Sequence, residues 1–396
     1  MTYVSRAINP IFQKALEQFP AVLVTGPRQS GKTTFVRRSA GQTAYQSLDD
    51  PLERTFASSD PNGFLDRFRD RGLILDEIQY APELLPYLKL RIDQERSKNG
   101  RFILTGSQQF QLMRNVSESL AGRVAILELL PFGRLEYPGG SPDSLPSCLW
   151  QSNYPEPALS PAKRDLWVSS YLQTYLERDV RQLLDIGNLR LFETFLSLAA
   201  ARHGQEWNMA DLSRQSGVSQ PTVKSWTAVL EASYIGFFLP PYFRNFGKRL
   251  IKTPKFYFLD NALPAILTRQ PDPEAALAGP MGGSFLEGWV VSEAVKTFAA
   301  RGEKPALFFW RTHDGLEVDL LIQAKGRLWP VEIKLTATPT TQHLKPMNRF
   351  LDLAGAEAAS HGLLVCSVPE PRPLPGGHLA LPWHHFPQWL QELTAG

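Results

Sequence analysis

Four short, unbroken apolar runs mark the first third of the chain: AVLVTG at 21–26, GLILDEIQ at 72–79, RFILTGS at 101–107 and VAILEL at 124–129. Unbroken runs, as opposed to alternating ones, predict strands covered on both faces. Helical patterns lie between them. Residues 1–20 are amphipathic, a helix is expected from Gly31, and ELLPYLKLRIDQERSKNG at 83–100 predicts another. Strands alternating with helices predict an open parallel α/β sheet. Residues 138–163 are rich in Pro, Ser and Gly and read as a loop or linker. Residues 164–239 are mainly helical in pattern. Within WNMADLSRQSGVSQPTVKSWTAVLEASYIGFF at 207–238, one helix ends at Gly217, Ser219 caps the next, and Pro221 sits in its first turn. Leu212, Val218, Val223, Trp226 and Leu230 form its inner face, a helix–turn–helix pattern. From 305 onward short strands and helices alternate again. The expected units are 1–137, a linker at 138–163, a helical unit at 164–270, and a C-terminal α/β unit at 271–396.

Composition adds limits. The chain has 396 residues, 43% of them apolar, enough for about two or three cores. No apolar run is long enough to cross a membrane; YIGFFLPPYF at 234–243 is broken by two prolines. The N-terminus lacks the apolar centre of a signal peptide. Cys148 and Cys366 are the only cysteines, too few for a disulfide framework or a cysteine zinc site. Together these predict a soluble, cytoplasmic protein. The net charge is +3, with basic residues in excess in the middle and acidic ones toward the end. That balance suits a phosphate-binding middle and a metal-binding end.

The most specific chemistry lies at GPRQSGKT, 26–33, which matches G-x-x-x-x-G-K-[ST] between a strand and a helix. Gly26, Pro27, Arg28, Gln29, Ser30 and Gly31 would curl so that backbone N–H groups face phosphate oxygens. The helix N-terminus at Lys32, Thr33 and Thr34 adds its positive end. Lys32 would reach the β- and γ-phosphates of ATP and Thr33 would meet Mg²⁺. In LILDEIQ, Asp76 would hold that Mg²⁺ through water, and Glu77 would polarise the attacking water. Thr105 or Ser107, at the end of RFILTGS, would touch the γ-phosphate or the water. Arg123 is the expected neutraliser of transition-state charge, in cis or from a neighbouring subunit, with Arg28 as a second choice.

Two further sites are expected. On the second helix of the helix–turn–helix, Lys224 faces outward. The basic, aromatic stretch after it carries Arg244, Lys248, Arg249, Lys252 and Lys255, as the edge of a DNA-binding wing would. The bland alternative is a unit used for protein packing. In LEVDLLI, Glu317 and Asp319 share a strand face, and in WPVEIKL, Glu332 and Lys334 do. Pairing through the AKGR turn would bring Asp319 to Glu332, with Glu287 or Glu293 from FLEGWVVSEAV as a further acid. Hard oxygen ligands and a lysine suit Mg²⁺-dependent cutting; a scaffold that retains the pattern without cutting is the alternative.

GPRQSGKTT, LILDEIQ, ILTGS, SLAGR and TYLERDV, in this order, resemble the prokaryotic AAA-type ATPases that carry a C-terminal domain of unknown function. That tail is similar to the PD-(D/E)xK restriction-endonuclease-like fold. The resemblance implies a P-loop sheet, a winged-helix region and a nuclease-like α/β domain. It implies ATP and Mg²⁺ as cofactors, with Lys32, Thr33, Asp76 and Glu77 in the roles given. It also implies homo-oligomers with nucleotide between subunits and a part in DNA transactions, at branched DNA such as Holliday junctions. An ATP-regulated nuclease and a signalling ATPase whose last domains bind proteins are the rivals. Arg178 and Asp179 of TYLERDV match the family pattern without an evident mechanism.

Overall fold

The structure is a computed structural model that describes residues 3–107, 116, 118–137, 144–175, 189–243 and 253–395. Helix α1 (Asn9–Gln18) opens at Pro10, where a missing N–H costs nothing, and buries Phe12 and Ala15. Five strands follow: β1 (Ala21–Thr25), β2 (Ala44–Ser47), β3 (Leu73–Asp76), β4 (Phe102–Thr105) and β5 (Val124–Glu128). All pair in parallel, in the order β2-β3-β4-β1-β5. Helices α2 (Lys32–Ser39), α3 (Pro51–Ser59), α4 (Pro61–Asp66) and α5 (Leu84–Gln94) cover them. Leu23, Leu75 and Leu104 pack against Phe64, Leu85 and Leu88 on one face. Val22, Val24, Ile74 and Ile103 pack against Phe12 and Phe35 on the other. This double burial is why β1, β3 and β4 read as unbroken apolar runs. Strand β2, sequence AYQS, is a half-buried edge strand, and its polar character left no such signal.

The stretch expected as a linker forms, over 144–163, a pair of short helices, the first capped by a side chain. The Ser144 hydroxyl accepts the Ser147 N–H at the start of α6 (Leu145–Trp150), and Pro155 opens α7 (Pro155–Leu159). Leu145, Leu149 and Tyr154 are buried. Prolines in first turns and serine caps start helices as readily as they mark loops, so composition alone misread them.

The middle unit continues with α8 (Arg164–Tyr175), α9 (Leu189–Ala201), β6 (Gln205–Glu206), α10 (Met209–Ser216), α11 (Gln220–Ala232), β7 (Gly236–Leu239) and β8 (Lys255–Phe258). Gly217 ends α10 at φ +73°, in the left-handed region that glycine reaches without strain, and the Ser219 side chain caps α11. The three strands form an antiparallel sheet in the order β6-β8-β7. Leu212, Val223, Trp226 and Leu230 pack with Phe192, Phe195 and Trp207.

Helix α12 (Ala262–Leu267) closes the middle unit, where Ala262 and Leu263 join its core; the C-terminal unit has α13 (Pro273–Ala278) and the long α14 (Gly282–Ala300). Its strands are β9 (Leu307–Arg311), β10 (Glu317–Ala324), β11 (Arg327–Ile333), β12 (Leu363–Cys366), β13 (Arg372–Pro373) and β14 (Leu379–Pro382). They form a mixed sheet in the order β13-β14-β12-β11-β10-β9. Helices α15 (Lys345–Ala354) and α16 (Phe386–Thr394) complete it. Strands β10 and β11 are antiparallel, with Leu320 opposite Val331; continuing that register sets Asp319 across from Glu332. The chain is thus a mixed α/β protein, a parallel sheet followed by further α/β units. Among the described residues no helix is long and apolar enough to cross a membrane.

Candidate functional site

The loop between β1 and α2 lies at the carboxyl edge of the parallel sheet, where ligands of open α/β sheets gather. Gly26 has φ +140°, and a Cβ there would lie 2.2 Å from the Leu129 carbonyl oxygen, so only glycine fits. Gln29 (φ +60°) and Gly31 (φ +90°) give the loop its left-handed turns. Pro27 is buried, Arg28 and Gly31 half-buried, and Gln29 and Thr34 exposed. Among the described residues the buried Ser30 hydroxyl has no hydrogen-bond partner. Lys32 is buried and donates from Nζ to the Gly26 and Pro27 carbonyls, at 3.0 and 2.8 Å.

Asp76, at the tip of β3, joins three neighbours. Thr33 Oγ1 donates to its two oxygens at 3.1 and 2.9 Å, Tyr45 OH donates at 2.8 Å, and Thr105 Oγ1 donates to Oδ1. Burial first, and then Asp76, pushes the Tyr45 phenol up to about 12, so it stays a donor at neutral pH. The next residue, Glu77, has φ +58° and ψ +50°, an uncommon conformation for a side-chain-bearing residue, of a kind that clusters at functional sites. Thr105 Oγ1 accepts the Glu77 N–H at 3.1 Å. Gln79 Nε2 and Ser107 Oγ (3.4 Å) both donate to Glu77 Oε2. Motif reading placed Thr105 and Ser107 near the reaction and missed Tyr45 and Gln79, whose roles depend on tertiary contacts.

These residues fit ATP and Mg²⁺. The glycine cradle leaves no room for side chains, the buried Ser30 hydroxyl faces no protein partner, and Thr33 and Asp76 stand within one hydrogen bond of each other. Arg123 lies elsewhere. Its carbonyl accepts the Ala21 N–H at the start of β1, and its guanidinium pairs with Asp93 at 2.7 and 3.0 Å. The loop follows the other end of β1, roughly 16 Å away at the rise of a strand. In cis, Arg123 is therefore out of reach.

Two contacts missed by motif reading hold the loop, one from within its own unit and one from the middle unit. Arg6, buried, donates to the Ser30 carbonyl at 2.9 Å and the Leu130 carbonyl at 2.6 Å, and pairs with Glu136 at 2.9 Å. Tyr234, at the end of the helix–turn–helix, hydrogen-bonds Thr25 and Glu128, both at 3.2 Å. Thr25 immediately precedes Gly26.

Of the residues expected to contact DNA, Lys224 is exposed on α11, while Arg244, Lys248, Arg249 and Lys252 lie outside the described residues, as do Arg178 and Asp179. Lys255 is a correction. It is 5% exposed and its Nζ lies 2.8 Å from Glu287 Oε1 and 2.5 Å from Glu317 Oε1. Burial alone would lower its pKa, but Glu287, Asp319 and Glu317 outweigh that and raise it. A buried, paired ammonium cannot reach a phosphate backbone.

The C-terminal acids do converge. Lys334 Nζ sits 2.9 Å from Asp319 Oδ2 and 2.8 Å from Glu332 Oε1, and the Ile333 N–H also donates to Asp319 Oδ2, at 2.8 Å. Glu287 joins this group through Lys255. Glu293 does not: it accepts the Arg134 N–H at 2.7 Å and pairs with Lys296 at 3.0 Å. Yet the set does not fit a metal. Two ammonium groups occupy its carboxylate oxygens, and among the described residues no three His, Cys, Asp or Glu side chains are placed to hold one. Burial, then Asp319, pushes the Glu332 carboxyl up to about 8, and among the described residues its Oε2 has no hydrogen-bond partner.

Residues 18–137 match the family model described as an AAA domain. Residues 143–274 and 282–386 match two domains of unknown function, DUF8612 and DUF4143. Two uncharacterized proteins, of Mycobacterium bovis and Mycobacterium tuberculosis, are each 34% identical over 345 residues, spanning 83% of this chain and 73% of theirs. Among solved structures, the Walker-type ATPase of Pyrococcus abyssi is similar over 66% of this chain and 94% of its own, at 15% identity and a TM-score of 0.43.

The Glu332 carboxyl gives a pH signature. Its folded-state pKa lies above the ordinary 4.5, so the stability it contributes is full below about pH 4.5 and is lost as pH rises toward about 8. Glu332→Gln should flatten that fall: between about pH 5 and about pH 8 its melting temperature should change less than that of the wild type. Parallel melting curves across that range would contradict the burial described.

Proposed function

The chain belongs to the same family as the two mycobacterial proteins, and from that premise, with an AAA domain at its head, we propose that it is a Mg²⁺-dependent ATPase that binds DNA and moves its later domains with nucleotide state. One observation carries the ATPase reading. Thr33, Tyr45 and Thr105, from three different elements, all donate to Asp76 beside a glycine cradle that ends in a buried lysine.

Each residue has a role in that reading. The loop N–H groups and the N-terminus of α2 bind the phosphates. Lys32 exchanges its two carbonyl acceptors for phosphate oxygens. Thr33 and Asp76 would hold Mg²⁺, which, when bound, neutralises charge on the β- and γ-phosphates. Glu77 orients the attacking water and accepts its proton. Gln79 and Ser107 hold the Glu77 carboxylate until then. Arg123, facing away from its own loop, serves the nucleotide of a neighbouring subunit, which makes the working form a homo-oligomer.

The DNA reading rests on topology and charge. Helix α9, strand β6, helices α10 and α11, and strands β7 and β8 follow the order of a winged helix. Exposed Lys224 on the second helix and the basic residues at 244–252 supply phosphate contacts. One lysine on that helix favours backbone contact over base reading. Branched DNA, such as a Holliday junction, is the form the sequence resemblance suggests.

Two experiments test this. Lys32→Ala and Arg123→Ala should each lower ATP turnover at least about 10²-fold, and mixing the two variants should recover part of it, because some interfaces then pair an intact loop with an intact arginine. No recovery with both proteins folded would remove Arg123 from the site. Binding to duplex or four-way DNA should weaken steeply as salt rises, with a slope set by the phosphates neutralised. Salt-insensitive binding, or none, would favour a protein partner.

A further inference from the structure

Tyr45 stands on the half-buried edge strand β2, yet its side chain reaches the tip of β3. In the parallel register of the two strands, Tyr45 lies opposite Ile74 and Ser47 opposite Asp76. Residues two apart on a strand share a face, so Tyr45 and Asp76 are diagonal neighbours on one face of the sheet. A diagonal neighbour is out of reach of a short side chain and within reach of an aromatic one. Tyr45 spans that gap, and its OH donates to Asp76 Oδ2 at 2.8 Å. Ser47, directly across from Asp76, is turned elsewhere: its hydroxyl accepts the Asp49 N–H at 3.3 Å. The edge strand thus meets Asp76 through a phenol and not through its nearest residue.

The donors around Asp76 divide into two kinds. A carboxylate offers about two acceptor sites on each oxygen. On Oδ1 the donors are Thr105 and, at 3.1 Å, Thr33; on Oδ2 they are Tyr45 and, at 2.9 Å, Thr33 again. Thr105 and Tyr45 are fixed. Thr105 is fully buried, and its oxygen also accepts the Glu77 N–H. The Tyr45 ring packs against the core that holds Val24, Phe35 and Ile74. The guanidinium of Arg37, one turn beyond Thr33 on α2, lies 4.6 Å from the centre of that ring. Thr33 is the third donor, shared between the two oxygens, and it is the residue whose hydroxyl turns to Mg²⁺ when nucleotide binds. An ion and its water therefore have one place to enter, the position that Thr33 gives up.

We propose that Tyr45 is a positioning residue for Mg²⁺ at this site. With Thr105 it clamps the Asp76 carboxylate at one angle, so that Thr33 alone yields to the ion and its water, and the site selects a small octahedral ion over Ca²⁺. This inference rests on the ATPase reading given above. Its basis is the different rigidity of the two ions. Mg²⁺ demands near-ideal octahedral geometry and keeps several of its waters, so a carboxylate that holds one of those waters must be aimed. Ca²⁺ takes more oxygen ligands in looser geometry and tolerates a carboxylate that swings. Tyr45 acts through Asp76 and touches no reacting atom.

The test measures binding of the non-hydrolysable ATP analogue AMPPNP to the full-length chain by calorimetry, with Mg²⁺, with Ca²⁺ and with EDTA. The wild type should bind most tightly with Mg²⁺, and Asp76→Asn should lose that preference. Tyr45→Phe keeps the ring and removes only the donor. With Mg²⁺ it should bind at least about fivefold more weakly than the wild type, the size of one lost hydrogen bond. With Ca²⁺ or EDTA it should match the wild type. Equal losses in all three conditions would mark a structural role and overturn the proposal. A Mg²⁺ preference that Tyr45→Phe leaves intact would overturn it too, with the ATPase reading untouched. Wild-type binding that ignores the metal would remove that reading and this proposal with it.

Discussion

The carboxylate of Asp76 is the constraint on which the rest of the nucleotide site depends. It ends a strand buried along its length. Donors from β2, α2 and β4 converge on it through Tyr45, Thr33 and Thr105. Each of these elements is placed by the order of the sheet: β3 lies between β2 and β4, and β4 lies beside β1, from which the loop leaves. Several hydrogen bonds converging on one carboxylate hold it in one orientation. That arrangement suits a metal-facing group. Glu77, turned into the left-handed region immediately after it, is directed away from that hub and toward Gln79 and Ser107.

The same loop is connected to both later units. The Ser30 carbonyl is held by Arg6, which reaches Glu136; Glu136 accepts the Gly133 N–H at 2.7 Å, and the neighbouring Arg134 N–H meets Glu293 of α14. Thr25 meets Tyr234 from the end of the helix–turn–helix. A shift of the loop at either edge would be felt in a different domain. In the proposed account these contacts carry nucleotide state outward, and the ion pairs of Lys255 with Glu287 and Glu317 make the two later units respond together.

Much of this was legible in the sequence, for local reasons. The apolar runs of β1, β3 and β4 were legible because strands covered on both faces need apolar residues at every position; β5 read the same way although it is an edge strand with Ile126 exposed. The loop motif was legible because glycines, lysine and threonine must stand at fixed spacing. The helix–turn–helix was marked by Gly217, Ser219 and Pro221. The rest depended on contacts between distant residues. Polar AYQS gave no sign of β2, since an edge strand needs no apolar face of its own. Prolines at 144–163 read as a linker although they begin helices. Lys255 looked like part of a basic edge because its acid partners, Glu287 and Glu317, are far along the chain. The choice between Glu287 and Glu293 needed the packing of α14, which turns one toward Lys255 and the other toward Arg134.

Glu77→Gln tests the account most directly. Gln keeps the size of the side chain but cannot accept a proton from water. The variant should bind ATP with Mg²⁺ as tightly as the wild type, while single-turnover hydrolysis of the bound nucleotide falls about 10²–10⁴-fold, the usual contribution of a general base. Hydrolysis at the wild-type rate, with ATP binding intact, would show that the Asp76–Glu77 tip of β3 is not where the reaction occurs.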